Sequence, residues 1–208
     1  MIEIIVKNAE FVRSFPSVQS MEGSPTTQVA FLGRSNVGKS SLINFLAAKQ
    51  GLAKVSNTPG RTQLINLFQV TLLRKENGNR QEKQVPWVDL PGFGYAKLSK
   101  AVQEDPSQML KDFWNDTFSR RFVLHLFDIR REPNQEDLVL SQHLRRASAG
   151  YFLVLTKSDQ LIQSKRKAAI QRLAERFSLP AAQVLPVSMK EKFGKEAILS
   201  LIWEACAK

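Results

Sequence analysis

The eight residues Gly33-Arg34-Ser35-Asn36-Val37-Gly38-Lys39-Ser40 constrain this chain more than any other feature. They fit G-x-x-x-x-G-K-[S/T], and they lie between a buried-strand pattern, Val29-Ala30-Phe31-Leu32, and a helical pattern over Lys39 to Ala48. That order matters because the glycines let the backbone approach an anion, while the helix that follows aims its first amides at it. Lys39 is then expected to reach the β- and γ-phosphates of a nucleotide, and the Ser40 hydroxyl to ligate Mg²⁺. A chain built around such a loop is expected to be an α/β protein.

The rest of the sequence repeats the alternation. Leu64 to Leu73 and Val85 to Leu90 read as strands, separated by the polar Arg74 to Gln84, which carries Asn77-Gly78 and is expected to be an extended hairpin turn. Phe122 to Phe127, Tyr151 to Leu155 and Val184 to Val187 read as further strands. Helices are expected over Asn134 to Ala147, opened by an Asn cap, over Ser164 to Phe177, and over Lys195 to Ala207. Continuous apolar strands between helices predict a three-layer fold. Its sheet should be mostly parallel with one antiparallel strand, and helices should cover both faces. The expected division is an N-terminal extension over 1–27 packed on a nucleotide-binding domain over 28–208.

Composition narrows the class. With 208 residues, 43% hydrophobic and 24% charged, the chain can bury a full core, and wholesale disorder is excluded. No run approaches the ~20 apolar residues of a membrane span, and the N-terminus has no signal-peptide pattern, so a cytoplasmic protein without membrane attachment is expected. One cysteine, Cys206, excludes an intrachain disulfide framework and is expected to be unreactive. The net charge is +11, of which +7 falls in residues 140–208, a balance that favours a polyanionic partner such as nucleic acid. The Lys165-Arg166-Lys167 run with Arg172 and Arg176 is the candidate phosphate-contacting face, and a merely solvated helix face is the competing reading.

Two later loops choose the nucleotide. Asp89-Leu90-Pro91-Gly92 ends a strand, where the carboxylate can hold a Mg²⁺-bound water and the Gly92 amide can meet a γ-phosphate. Thr156-Lys157-Ser158-Asp159 follows the strand Tyr151 to Leu155, at the strand end where open α/β sheets bind ligands. A carboxylate there accepts from both N1–H and the 2-amino group of guanine. Adenine offers neither donor and would leave Asp159 desolvated and unpaired. The Lys157 stem can pack along the base. Val187-Ser188-Met189 can present a backbone amide to the guanine carbonyl.

These motifs, read as GRSNVGKSSLIN, SNTPGRTQLIN, DLPGFGYA and TKSD, resemble the EngB (YihA/YsxC) family of bacterial GTPases, within the TrmE–Era–EngA–YihA–septin group. The resemblance spans roughly residues 8–205 and implies a Ras-like G domain. It implies GTP and GDP as ligands, Mg²⁺ as cofactor, a role in assembly of the large ribosomal subunit, and a link to cell division and septation. Gly33 to Ser40 match the family's phosphate loop. Gly60, Arg61, Thr62, Gln63 and Leu64 match the first switch, with Thr62 ligating Mg²⁺ beside Ser40, although on residue type alone Thr58 competes. Asp89 to Gly92 match the second switch, Thr156 to Asp159 the guanine-specificity loop, and Val187 to Met189 the loop supporting it. Thr156 stands where the widespread N-K-x-D form has Asn, which calls into question the side-chain bridge from this position to the phosphate loop.

Ras-like enzymes place a water-orienting Gln after D-x-x-G, and here that position is Phe93. Lys39, Thr62 and Gly92 remain the candidate catalytic groups. Asn36, which resembles the asparagine that coordinates K⁺ in part of the wider group, joins them. Slow turnover raised by K⁺ or by a ribosomal partner is the expectation. Two alternatives stay open at this stage: a guanine-nucleotide sensor or scaffold without useful catalysis, and a P-loop kinase or ATPase. His125 and His143 are expected to be structural, Trp87 and Trp203 core, and the chain a monomer.

Overall fold

The computed structural model describes residues 2–18, 20–21, 27–54, 64–92, 112–113, 115 and 120–206. Seven strands form one sheet: β1 (Ile2–Phe15), β2 (Gln28–Gly33), β3 (Ile65–Glu76), β4 (Asn79–Asp89), β5 (Arg121–Asp128), β6 (Gly150–Thr156) and β7 (Val184–Pro186). Their order is β1-β3-β4-β2-β5-β6-β7. The contacts β4/β2, β2/β5, β5/β6 and β6/β7 are parallel, while β1/β3 and β3/β4 are antiparallel, so β3 alone runs against the others. The expected fold class holds.

Helices α1 (Lys39–Ala47), α2 (Gln135–Ala147), α3 (Gln163–Arg176) and α4 (Lys195–Ala205) cover the two faces. All six residues of β2 are buried. The pleat sends Val29 and Phe31 to one side, with Leu42 and Leu46 of α1 and Ile202 of α4. Ala30 and Leu32 go to the other, with Leu144 of α2 and Leu173 of α3. A strand covered on both faces has no reason to alternate with polar residues, which is why it reads as an unbroken apolar run. Trp87 and Trp203 are both buried in the first of these cores, as expected.

Two parts of the sheet differ from the sequence reading. The stretch 74–84 is almost entirely strand: the turn is only Asn77-Gly78, both at positive φ, and β3 pairs with β4 from Glu76↔Asn79 inward. Its polar side chains mark a ribbon end in water, and the backbone ladder runs to the turn regardless. The N-terminal residues supply β1, which pairs along β3 from Ile2↔Glu76 to Phe15↔Ile65. Register shifts at Val6/Asn8 and Phe11/Arg13 break its period of two. Ile4 and Ala9, an odd number of residues apart, therefore reach the same core, while Phe15 reaches the opposite one. A pattern interrupted twice in fourteen residues hides the strand from a periodicity argument.

Candidate functional site

The parallel strands β2, β4, β5 and β6 end at the same edge, and the loops leaving them meet there. Leaving β2, the loop 34–38 turns through Asn36 at φ 63° and Gly38 at φ 102° before α1 begins. The helix has no side-chain cap and no acid in its first turn, so its first amides are left to an anion, in keeping with a phosphate seat. Gly33 is required by space: a Cβ would stand 2.9 Å from the Leu126 carbonyl oxygen.

At the end of β4, Asp89 is buried and its carboxylate accepts from the Lys39 ammonium. Its second oxygen faces the Asn66 amide at 3.5 Å, and Asn66 in turn accepts from Ser14 of β1 at 2.7 Å. Leu90 is fully buried and its amide donates to the Phe31 carbonyl, which ties this loop to β2. Gly92 lies against the phosphate loop, where a Cβ would approach the Ser35 nitrogen to 3.2 Å. Gly60, Arg61, Thr62, Gln63, Thr58, Phe93 and Tyr95 lie outside the described residues; Leu64 is exposed just ahead of β3.

The loop after β6 is tied to the phosphate loop twice. The Thr156 hydroxyl, fully buried, donates to the Val37 carbonyl at 2.8 Å. A side-chain bridge from this position therefore exists, carried by a hydroxyl where an amide was the familiar group. Lys157, at φ 57°, sends its ammonium to the Asn36 carbonyl at 3.0 Å. Ser158 is buried, and its hydroxyl donates to the Leu155 carbonyl.

Asp159 accepts from the Ser188 hydroxyl and from the Gln160 amide, each at 2.7 Å. Burial pushes its carboxyl upward, but these hydrogen bonds outweigh that, and the net displacement is below the ordinary carboxylate value. It is thus an anion at neutral pH, held in one orientation. The Val187 and Ser188 amides donate to the Leu155 and Phe193 carbonyls.

Arg34, one of the residues marked by the motif, turns its side chain elsewhere. Its Nε donates to Asp137 at 2.8 Å and its Nη2 to Asn134 at 3.1 Å. Asp137 is fully buried and forms a reciprocal capping box with Asn134 at the start of α2. The Arg34 side chain thus pins α2 to the phosphate loop. Sequence reasoning also missed Asp128 and Arg130 at the end of β5; an acid closing a buried strand two residues before an arginine was the available signal.

Other titratable groups lie away from these loops. His125 is fully buried with Nδ1 2.7 Å from the Tyr151 hydroxyl. His143 is exposed on α2. Burial pushes the Cys206 thiol up to about 11, which keeps it protonated and unreactive. Lys165, Lys167, Arg172 and Arg176 are exposed on α3, whereas Arg166 folds back to Glu191 at 3.0 Å and over the Phe193 ring. No helix among the described residues is long and apolar enough to cross a membrane.

Comparison with known proteins gives a consistent answer. Residues 28–157 match the family described as 50S ribosome-binding GTPase. The chain is 39% identical over 200 residues to a probable GTP-binding protein EngB of Syntrophus aciditrophicus, covering 96% of each chain. It is 34% identical over 203 residues to one of Caldanaerobacter subterraneus, covering 98% of this chain and 99% of that one. Among solved structures, a probable GTP-binding protein engB superposes with a TM-score of 0.62 at 26% identity, covering 87% of this chain and 98% of the other.

Proposed function

This chain belongs to the EngB family of GTP-binding proteins, and from that premise we propose that it is a Mg²⁺-dependent GTPase switch acting in assembly of the large ribosomal subunit. The observation that carries the nucleotide reading is the convergence of three loops. The phosphate loop, the Asp89–Gly92 loop and the Thr156–Asp159 loop meet at one sheet edge, joined through Val37, Asn36 and Ser35.

In this reading the amides of Gly33 to Ser40 cradle the α- and β-phosphates. Lys39 exchanges the Asp89 carboxylate for β- and γ-phosphate oxygens. Gly92 offers its amide to the γ-phosphate from its place beside Ser35. Asp159 accepts from guanine N1–H and the 2-amino group, the Lys157 stem lies along the ring, and the Met189 amide donates to the guanine carbonyl. The donor set fits Mg²⁺: a hydroxyl at Ser40 and a carboxylate at Asp89, both hard oxygen ligands at the phosphate end. Ser40 and Thr62 would hold the ion directly and Asp89 a water on it; when bound, Mg²⁺ neutralises charge on the transferring phosphoryl group. Residues 28–208 would form the nucleotide-binding domain, with 1–27 as an extension whose strand β1 adds to the edge of its sheet.

Ribosomal partnership is supported by the description of the matching family and by the basic surplus of residues 140–208. The exposed Lys165, Lys167, Arg172 and Arg176 of α3 are assigned to rRNA phosphates. The γ-phosphate would order the loops around 56–62 and 89–95 and so gate the affinity for the particle. A cytoplasmic monomer with a consequent effect on division and septation completes the reading. Catalysis lacks a glutamine after D-x-x-G, and Asn36 is assigned to K⁺, whose charge would replace an arginine finger.

Single-turnover assays with GTP and ATP, in K⁺ and in Na⁺, test this reading. GTP hydrolysis faster in K⁺, with ATP neither bound nor cleaved, is expected. Equal rates in both salts would remove the cation from the account, and equal use of ATP would remove guanine.

A further inference from the structure

Asp128 and Arg130 are not used by the reading above, yet they stand directly behind it. Asp128 closes β5 opposite Thr156 in the β5/β6 register. Its carboxylate is 7% exposed, and a carboxylate buried to that degree is tolerated only when paired. Oδ1 accepts from the Arg130 backbone amide at 3.1 Å and from its Nε at 2.9 Å. Oδ2 accepts from Arg130 Nη2 at 2.7 Å and lies 3.1 Å from the Lys157 ammonium. Burial pushes this carboxyl up, but the Arg130 and Lys157 hydrogen bonds outweigh it and bring it to about 2.

The same ammonium donates to the Asn36 carbonyl of the phosphate loop at 3.0 Å. A lysine head on a four-carbon stem is otherwise free to swing, and its rotamers must be frozen for the stem to present a flat wall to a base. Arg130 grips the carboxylate with a planar fork, which fixes the rotation of Asp128 and hence the direction in which Oδ2 points. The chain of contacts runs Arg130, Asp128, Lys157, Asn36, so the end of β5, outside the three loops assigned to the nucleotide, sets the spacing between the base seat and the phosphate seat.

We propose that Asp128, clamped by Arg130, is a positioning residue for nucleotide binding that locks Lys157 against the phosphate loop before the nucleotide arrives. This rests on the guanine-nucleotide reading of the site. It predicts a particular fault when the clamp is lost: nucleotide held less long, with the chemical step intact once the site is filled.

The test is the release rate of N-methylanthraniloyl-GDP and the single-turnover rate at saturating GTP, in a double-mutant cycle. Asp128→Ala should speed release about ten- to a hundredfold, the effect of losing a charge-assisted bond, and leave saturated turnover unchanged. In a Lys157→Ala background the same substitution should add almost nothing, because its effect passes through Lys157. A purely structural role would give the same loss in both backgrounds, and that result overturns the proposal, as does an unchanged release rate. Arg130→Ala, at a half-exposed side chain, provides the second reading through a milder change and should speed release about three- to tenfold. Failure of the wild-type protein to prefer GDP over ADP would instead overturn the nucleotide reading itself.

Discussion

In the proposed site, Asp159 is the residue assigned to the choice of base. Its two oxygens are held by Ser188 and Gln160, and its lowered pKa keeps it an acceptor at neutral pH. In Asp159→Asn one acceptor oxygen becomes a donor amide, which opposes the guanine amino group and matches the exocyclic oxygen of xanthine. GTP affinity should fall by at least an order of magnitude and XTP affinity should rise, read by competition against a fluorescent nucleotide. Unchanged GTP affinity would defeat the assignment. Thr156 teaches the complementary point: residue identity alone suggested a missing bridge, but a hydroxyl at a strand end reaches the Val37 carbonyl as well as an amide would.

At the scale of elements, α2 is attached to the phosphate loop through its first turn. Asn134 accepts from the Asp137 amide as an N-cap and from Arg34 Nη2 as well. Asn134→Ala should therefore cost about 1 kcal/mol of stability, the usual worth of a cap, seen as a lowered denaturant midpoint. It should also weaken nucleotide binding modestly, since the Arg34 anchor loosens; an affinity identical to wild type would show that α2 does not steady the loop. The cap itself was legible in the sequence, because Asn followed by acids before an apolar period has few other meanings. So were the buried strands of the parallel half, whose continuous apolar runs admit little else. β1 was not, because two bulges scramble its parity. The phosphate and base loops were legible because each is a local string with its own mechanism. The Arg34–Asp137 pair was not, because it joins positions about a hundred residues apart, and the role of Asp128 and Arg130 was not, because their local pair gains meaning only through Lys157 and its contact with Asn36.

For the molecule as a whole, the core on the α2/α3 side contains a titratable group that must stay neutral. Burial lowers the His125 pKa to about 4 from an ordinary 6.5, with Asp137 pulling it up and Arg34 pushing it down. Between those values the unfolded chain binds more protons than the folded one, so stability rises with pH and is lost as pH falls from about 6.5 toward 4. The contribution is on the order of 3 kcal/mol across that window. Denaturant melts at pH 7 and pH 5 should show the loss, and a His125→Phe variant should show less of it; an equal slope in both would place the acid sensitivity elsewhere.

The +11 charge, the nucleotide site and the family's ribosomal description join in a single claim, that nucleotide state governs attachment to the large subunit. Co-sedimentation of the protein with purified large ribosomal subunits, loaded with a non-hydrolysable GTP analogue or with GDP across a salt series, tests it directly. Pelleting with the analogue, little with GDP, and a steep fall as salt rises are predicted. Absence from the pellet in both states at low salt would contradict the account.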